Sequence, residues 1–421
     1  MNIKKQIRTL YFYEVVSGFQ IVDLVWVLFL IQRGFSLAEA GIAEGVFHAV
    51  SMCCEIPSGM VSDLLGRRRT LIAAGLVSAL SSCCMIMTDC FSVILLAMGM
   101  NAVSYNLVSG TREALTYDSL LEAGQEERYL KVSSRQESIY QALCAATGLF
   151  SVVTVTVGYR AAYLISVGQG LCCAWIASRL KEAGHFGRKG KVDESVGEKP
   201  LSDPGCLEVP GSSAGKAPMV WRMGKELAVH FRKSFLFLKE HPRMRERMIV
   251  AGGISAGAYL VSMMLQEYLV TLGLAENLVG LPLFFISLFS VAGAFLGERS
   301  RKLNIRTLVW LGGSLAGLAM IGCGAASLPA VVAAAGAVRC MEEMTVLRLE
   351  NENQMETASE IRATVISVGS MSYSLWMAVL SPVSGAAADV FSVPAAFLGL
   401  GLIVIILSWG YVLQTARKKV S

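Results

Sequence analysis

Ala38–Arg69 reads AEAGIAEGVFHAVSMCCEIPSGMVSDLLGRRR. Its first part is apolar for longer than the ~20 residues a helix needs to cross hydrocarbon. Glu44, His48 and Glu55 interrupt that run at i, i+4 and i+11. At about 100° per residue they fall within ~40° of one another, which makes one polar stripe on an apolar helix. A charged side chain at mid-bilayer costs ~2.5–3.5 kcal/mol, so such a face must turn to protein or water. The run ends at Ser62-Asp63, and Gly66 then leads into Arg67, Arg68 and Arg69. Cations gathered there mark a cytoplasmic membrane surface.

The rest of the chain follows the same pattern. It has 421 residues, 54% apolar and 16% charged. Soluble domains sit near a quarter charged, and this balance excludes a disordered chain and an ordinary soluble enzyme. Eleven cysteines are present, six of them as the neighbours Cys53-Cys54, Cys83-Cys84 and Cys172-Cys173. Helix neighbours point about 100° apart and bridge poorly, so these read as reduced, lipid-compatible thiols. We read twelve spans, at about 10–32, 38–61, 70–88, 91–118, 137–158, 160–179, 247–271, 278–297, 306–326, 328–349, 362–386 and 391–414. The first follows Lys4, Lys5 and Arg8 and is too long for a cleaved signal, so it is expected to stay as a membrane helix.

Of 37 Lys and Arg, Arg33 and Arg160 alone fall in loops of one parity, while Arg112 and Arg339 lie within spans. The others lie on the opposite side, which places both termini in the cytoplasm. An even number of spans requires the same. The expected organisation is a first bundle over 1–180, a cytoplasmic segment over 181–245 and a second bundle over 246–421. Residues 181–218 have the composition of a flexible linker. Val220, Met223, Leu227, Phe231, Phe235 and Leu238 then recur at helical spacing opposite Arg222, Lys225, Arg232, Lys233 and Lys239. An amphipathic helix over about 219–240, lying on anionic lipid, fits this pattern better than a nucleic-acid site.

Several more ions lie at membrane depth. Asp23 sits near the middle of the first span. Asn101, Tyr105 and Arg112 form a stripe on the fourth, with Glu113 adjacent. Arg339 interrupts the tenth span, with Glu342 and Glu343 about a turn on. One reading makes these ions locks between helices, Arg112 with Glu113 and Arg339 with Glu343. The other makes them a substrate and proton pathway, since acids outnumber bases and an acid without a cation can carry a proton. Asp23, Glu44 and Glu55 are the candidate carriers. His48 reads first as a hydrogen-bonding helix contact and second as a titrating group. Arg112 and Arg339 would set the local field or bind an anion. The acid-rich stripes favour a cationic or neutral amphiphilic cargo.

The loop Gly59-Met60-Val61-Ser62-Asp63-Leu64-Leu65-Gly66-Arg67-Arg68-Arg69 resembles the signature loop of the major facilitator superfamily, Gly-x-x-x-Asp-x-x-Gly-Arg-Arg/Lys. Ser109-Gly110-Thr111-Arg112-Glu113-Ala114-Leu115-Thr116-Tyr117-Asp118-Ser119-Leu120 and Ile361-Arg362-Ala363-Thr364-Val365-Ile366-Ser367-Val368 resemble one bacterial branch of drug and metabolite permeases. The resemblance implies an all-α membrane protein of twelve transmembrane helices in two pseudo-symmetric six-helix bundles. It implies that Asp63 and Arg67 latch the bundles when the site faces outward, with Asp118 the partner of Arg67. Gly59 and Gly66 would allow close approach and an unusual turn, and Arg68 would bridge to acids on adjoining helices. Leu64 departs from the pattern, where many relatives carry Arg or Lys. The fifth span lacks the Gly-Pro-x-x-x-Gly-Pro motif of many drug antiporters.

Together these readings predict a secondary transporter of a small molecule, acting as a single chain in a bacterial-type plasma membrane. Proton-coupled export is the first reading, uptake of a metabolite the second, and a membrane sensor that no longer cycles the third. No Walker A loop, His-Glu-x-x-His or Gly-x-Ser-x-Gly occurs, so no ATP, cofactor or metal is expected and the chain does not read as an enzyme.

Overall fold

The computed structural model describes residues 2–23, 25–182, 239–357 and 362–417, with Arg232 and Leu236 between them. The linker 183–231 and most of the expected amphipathic helix at 219–240 lie outside the described residues. The described chain is helical throughout: α1 Ile3–Ser17, α2 Trp26–Gln32, α3 Leu37–Leu65, α4 Arg67–Met87, α5 Phe91–Val108, α6 Thr111–Glu122, α7 Tyr129–Val157 and α8 Tyr159–Arg179. The second part of the chain forms α9 Pro242–Thr271, α10 Gly280–Arg299, α11 Ile305–Gly322, α12 Leu328–Met355, α13 Arg362–Val390 and α14 Val393–Arg417. Nine segments among the described residues are long and apolar enough to cross a bilayer. The other three expected spans coincide with the pair α1–α2, with α7, and with α12, whose middle carries Arg339, Glu342 and Glu343.

Local chemistry sets the helix ends. Asn2 opens α1 by accepting from the Lys5 amide. Ser36 and Glu39 form a reciprocal capping box at the start of α3, which satisfies two otherwise orphaned amides. Gly66 takes φ 95° between α3 and α4, a left-handed turn that glycine adopts without a Cβ clash.

Two expected spans are broken helices. The stretch 10–32 is helical only to Ser17 and again from Trp26. Gln169 of α8 donates Nε2 to the carbonyls of Val16 (2.9 Å) and Ser17 (3.2 Å), so these are satisfied from outside the helix. The stretch 91–118 breaks at Ser109-Gly110, where Gly110 has φ 70°. The expected stripe of Asn101, Tyr105 and Arg112 is therefore split across two helices.

Helices of the first part pack mainly as α4 on α8, α4 on α5 and α3 on α5. Those of the second pack as α10 on α12, α11 on α14 and α9 on α13. Among the described residues the parts meet chiefly where α3 packs on α13, α7 on α10 and on the turn Glu276–Leu278 before it, and α2 on α9. The first is antiparallel and very close. Gly41 lies against the Ser381 carbonyl, and Gly385 against that of Leu37. Small residues at such crossings let backbones meet.

The crossing of α4 and α8 has the same basis. A Cβ on Gly75 would stand 2.6 Å from the Gly170 carbonyl oxygen and 2.8 Å from the Ala174 nitrogen. Gly75→Ala should therefore cost about 1–3 kcal/mol by overpacking and lower the thermal midpoint in detergent. Gly399→Ala, where a Cβ meets nothing within 4 Å, should leave that midpoint in place.

Candidate functional site

Glu44 and His48 lie one turn apart on α3, with His48 Nε2 3.2 Å from Glu44 Oε1. Both are buried. Two tyrosines from the second part of the chain close over them. Tyr259 of α9 donates a hydrogen bond to the Glu44 carboxylate. The Tyr373 ring of α13 meets the His48 ring edge-on at 5.3 Å, and the Tyr259 ring does so at 6.4 Å. Lower on α3, the hydroxyls of Ser367 and Ser370 on α13 bond to Glu55. The polar stripe read on α3 thus faces α9 and α13, across the boundary between the two parts.

A cavity lies on each side of this node. The larger, about 670 Å³, is lined by Asp23, Glu44, Asn101, Tyr105, Arg112 and Glu113, among others. The smaller, about 480 Å³, is lined by Ser255, Arg339, Glu342, Glu350 and Tyr373, among others. Tyr259 lines both. The break between α1 and α2 leaves Asp23 exposed, with no side-chain hydrogen bond among the described residues.

Arg112 bonds most closely to a partner that sequence reading did not single out. Its Nη1 lies 2.9 Å from Oε2 of Glu14 on α1, a fully buried carboxylate. Gln136 of α7 donates to the other Glu14 oxygen at 3.1 Å, and Thr116 donates to Gln136 at 3.2 Å. Glu137 and Glu113 stand farther from Arg112, at 3.6 and 3.9 Å. The signal for Glu14 was a lone acid in an apolar run near the start of the first span. Arg339 pairs with Glu342 at 2.6 Å rather than with Glu343, and Ser255 donates to the same carboxylate at 3.2 Å. Each of the two membrane-depth arginines is thus already bonded to a carboxylate, and neither is held out for an anion.

The signature loop forms bonds within the first part. Arg67 Nη1 lies 2.6 Å from Asp118 Oδ2. Glu182, just beyond α8, accepts from the Arg67 and Arg68 amides at 2.7 and 3.0 Å and so caps α4, which has no cap of its own. Arg68 donates its side chain to the Ser178 carbonyl at 2.5 Å rather than to an acid. Asp63 is exposed with no partner among the described residues. Gly59 has open space where a Cβ would stand, because nothing approaches that face of α3.

At the other end of α3 the bonds run between the two parts. Asp389, at the end of α13, accepts from the Leu37 and Ala38 amides at 3.1 and 2.8 Å, an anion on a helix N-terminus. Tyr159 donates to Glu276 at 3.2 Å. Glu182, Glu276 and Asp389 lie in loops or at helix ends, where an acid carries no sequence signal.

Ions kept in an apolar bundle because they line interior space belong to a membrane transporter rather than to a purely structural bundle. The chain belongs to the Major Facilitator Superfamily, a model of which matches residues 15–344. It is a multi-pass membrane transporter of that type. An uncharacterised MFS-type transporter of Bacillus subtilis strain 168, YxaM, is 27% identical over 89 residues, a match spanning 21% of this chain and 22% of that one.

Solved structures of the same fold include the nucleoside transporter NupG, with TM-score 0.71 and 13% identity over 98% of both chains. Another is a POT family transporter in complex with 5-aminolevulinic acid, with TM-score 0.70 and 13% identity over 98% of this chain and 96% of that one. A bacterial homologue of the human lysosomal transporter Spinster, in an inward-facing and occupied conformation, matches at TM-score 0.70 and 13% identity over the same shares. At these identities the likeness is one of fold.

Arg112→Ala strands the buried Glu14 carboxylate and should cost about 3–5 kcal/mol, read as a lower thermal midpoint. Adding Glu14→Gln should recover much of that loss; a wild-type midpoint for Arg112→Ala alone would show the bond to be idle. At the end of α12, Arg247 donates to Glu356 at 2.7 Å, and that bond holds the Glu356 carboxyl below the usual carboxylate range. Its contribution is present above about pH 4 and is lost as pH falls through the lowered value. Glu356 is partly exposed, so the effect is small. The midpoints of wild type and Glu356→Gln should differ slightly at neutral pH and converge in strong acid.

Proposed function

We propose that this chain is a secondary transporter that opens the space around the Glu44–His48–Tyr259–Tyr373 node to either membrane face in turn. Two six-span halves, 1–180 and 246–421, move about that node, joined by the cytoplasmic segment 181–245. All twelve spans cross the membrane and both termini are cytoplasmic. The single observation carrying this reading is Tyr259. It belongs to the second part, bonds to Glu44 of the first and lines both cavities. Bonds of this kind can be broken and remade as two bodies rock.

A proton gradient is the energy source. One charge crossing 100 mV supplies ~2.3 kcal/mol, enough for roughly a fiftyfold gradient of neutral cargo. Asp23, Glu44 and Glu55 are the proton carriers, since each lines the central space or bridges its two sides. Export of a drug-like small molecule from a bacterial-type cell, by a single chain whose 219–240 helix rests on anionic lipid, is the first reading. Uptake of a small metabolite is the second. It is favoured by the fold shared with a nucleoside transporter and with a transporter bound to 5-aminolevulinic acid.

Growth of a strain stripped of its efflux pumps, with and without this protein, across many toxic compounds tests direction and cargo. Counterflow in reconstituted vesicles then tests coupling. Asp23→Asn and Glu55→Gln should each abolish proton-driven flux at normal protein levels. Wild-type flux in both would assign these carboxylates to packing.

A further inference from the structure

Resting on that reading, we infer that the larger cavity holds a monovalent organic cation, an amine or quaternary ammonium, seated against Asp23 at the break between α1 and α2. The charges that line this cavity are Asp23, Glu44, Glu113 and Glu137 against Arg112. Arg112 is already bonded to the buried Glu14 at 2.9 Å, so an anionic cargo would meet no free cation there. Of the acids, Glu44 is held by His48 and Tyr259. Glu113 and Glu137 stand within 4 Å of Arg112. Asp23 alone has neither a cation nor a hydrogen-bond donor among the described residues. One unanswered carboxylate calls for one positive charge.

Two further features fit a cation. Aromatic faces open onto the same space: Tyr105 is 57% exposed and Tyr259 36%, with Phe47 packed at 6.1 Å from the Tyr105 ring. Such faces attract ammonium groups strongly once water is excluded. Ser166 of α8 lines the cavity as well. It is only 4% exposed, and its hydroxyl has no hydrogen-bond partner among the described residues. That leaves an oxygen able to accept from an N–H group. The volume, about 670 Å³, suits a drug-sized organic molecule.

Glu44 of α3, Tyr163 of α8 and Tyr259 of α9 are the titratable groups that face Asp23 electrostatically. None of them is a cation. A proton and an organic cation therefore compete for one carboxylate.

The test is equilibrium binding to the purified full chain in lipid nanodiscs, with no gradient present. Labelled tetraphenylphosphonium is the tracer. Benzyltrimethylammonium, tetraethylammonium, benzenesulfonate and neopentylbenzene, the neutral isostere of benzyltrimethylammonium, are the competitors. The expected result is saturable binding of at least one of the three cations, no displacement by benzenesulfonate and weaker displacement by neopentylbenzene than by its ammonium counterpart. Asp23→Asn should weaken cation binding roughly tenfold or more, the loss of one close charge pair, and Asp23→Glu should restore part of it.

Should Asp23→Asn fail to fold, Tyr105→Leu serves in its place, expected to weaken the cations severalfold and spare neopentylbenzene. Absence of saturable binding by all three cations overturns the inference, as does wild-type affinity in whichever of Asp23→Asn and Tyr105→Leu is tested. The outcome is separable from that of the transport reading. Cation binding without flux in vesicles would sink transport and keep the site, whereas flux of an anionic or neutral compound without cation binding would sink the site and keep transport.

Discussion

The bond between Arg112 and Glu14 states the constraint under which this molecule is built. A carboxylate with no exposure to solvent is held on α1 by a guanidinium from α6 and an amide from α7. In oil such a group is stable only when its charge and its lone pairs are both answered. Three more membrane-depth acids have such partners. Glu44 is met by His48 and Tyr259, Glu55 by Ser367 and Ser370, and Glu342 by Arg339 and Ser255. Asp23 has no such partner among the described residues, and it stands where a helix has been opened to make space.

That opening is itself a consequence of hydrogen bonding. The carbonyls at the end of α1 are free to leave the helix because Gln169 reaches across from α8 to satisfy them. In hydrocarbon an unwound turn without such a partner would cost several kcal/mol per group. The unwound stretches touch the wall of the larger cavity, through Gln20, Val22 and Asp23 after α1 and through Ser109 after α5. The break in the fourth stretch also places Arg112 on a short helix of its own, from which it reaches Glu14 rather than its sequence neighbour Glu113.

The two ends of α3 differ in the same currency. At the loop end, Arg67 pairs with Asp118 and Glu182 accepts from the Arg67 and Arg68 amides, all inside the first part of the chain, and Asp63 is exposed. At the opposite end, Asp389 of α13 caps α3 itself, so the two parts share a helix terminus. Small residues along α3 and α13 bring the backbones close enough for the hydroxyls and rings between them to bond.

The amino-acid sequence by itself determined that the chain is a helical membrane protein with ions at depth, because hydrophobic run length and charge are local properties and the cost of charge in oil does not depend on the fold. It also placed Glu44, His48 and Glu55 on one face of one helix, since a 3.6-residue period needs no neighbours. Which partner answers each ion was decided only by the tertiary structure. Glu14 lies 98 residues from Arg112 and Asp389 lies 352 from Leu37, and no periodicity links groups that far apart. The breaks in the first and fourth stretches were hidden for the same reason: a helix stays wound or opens according to what stands beside its carbonyls, and Gln169 comes from another part of the chain.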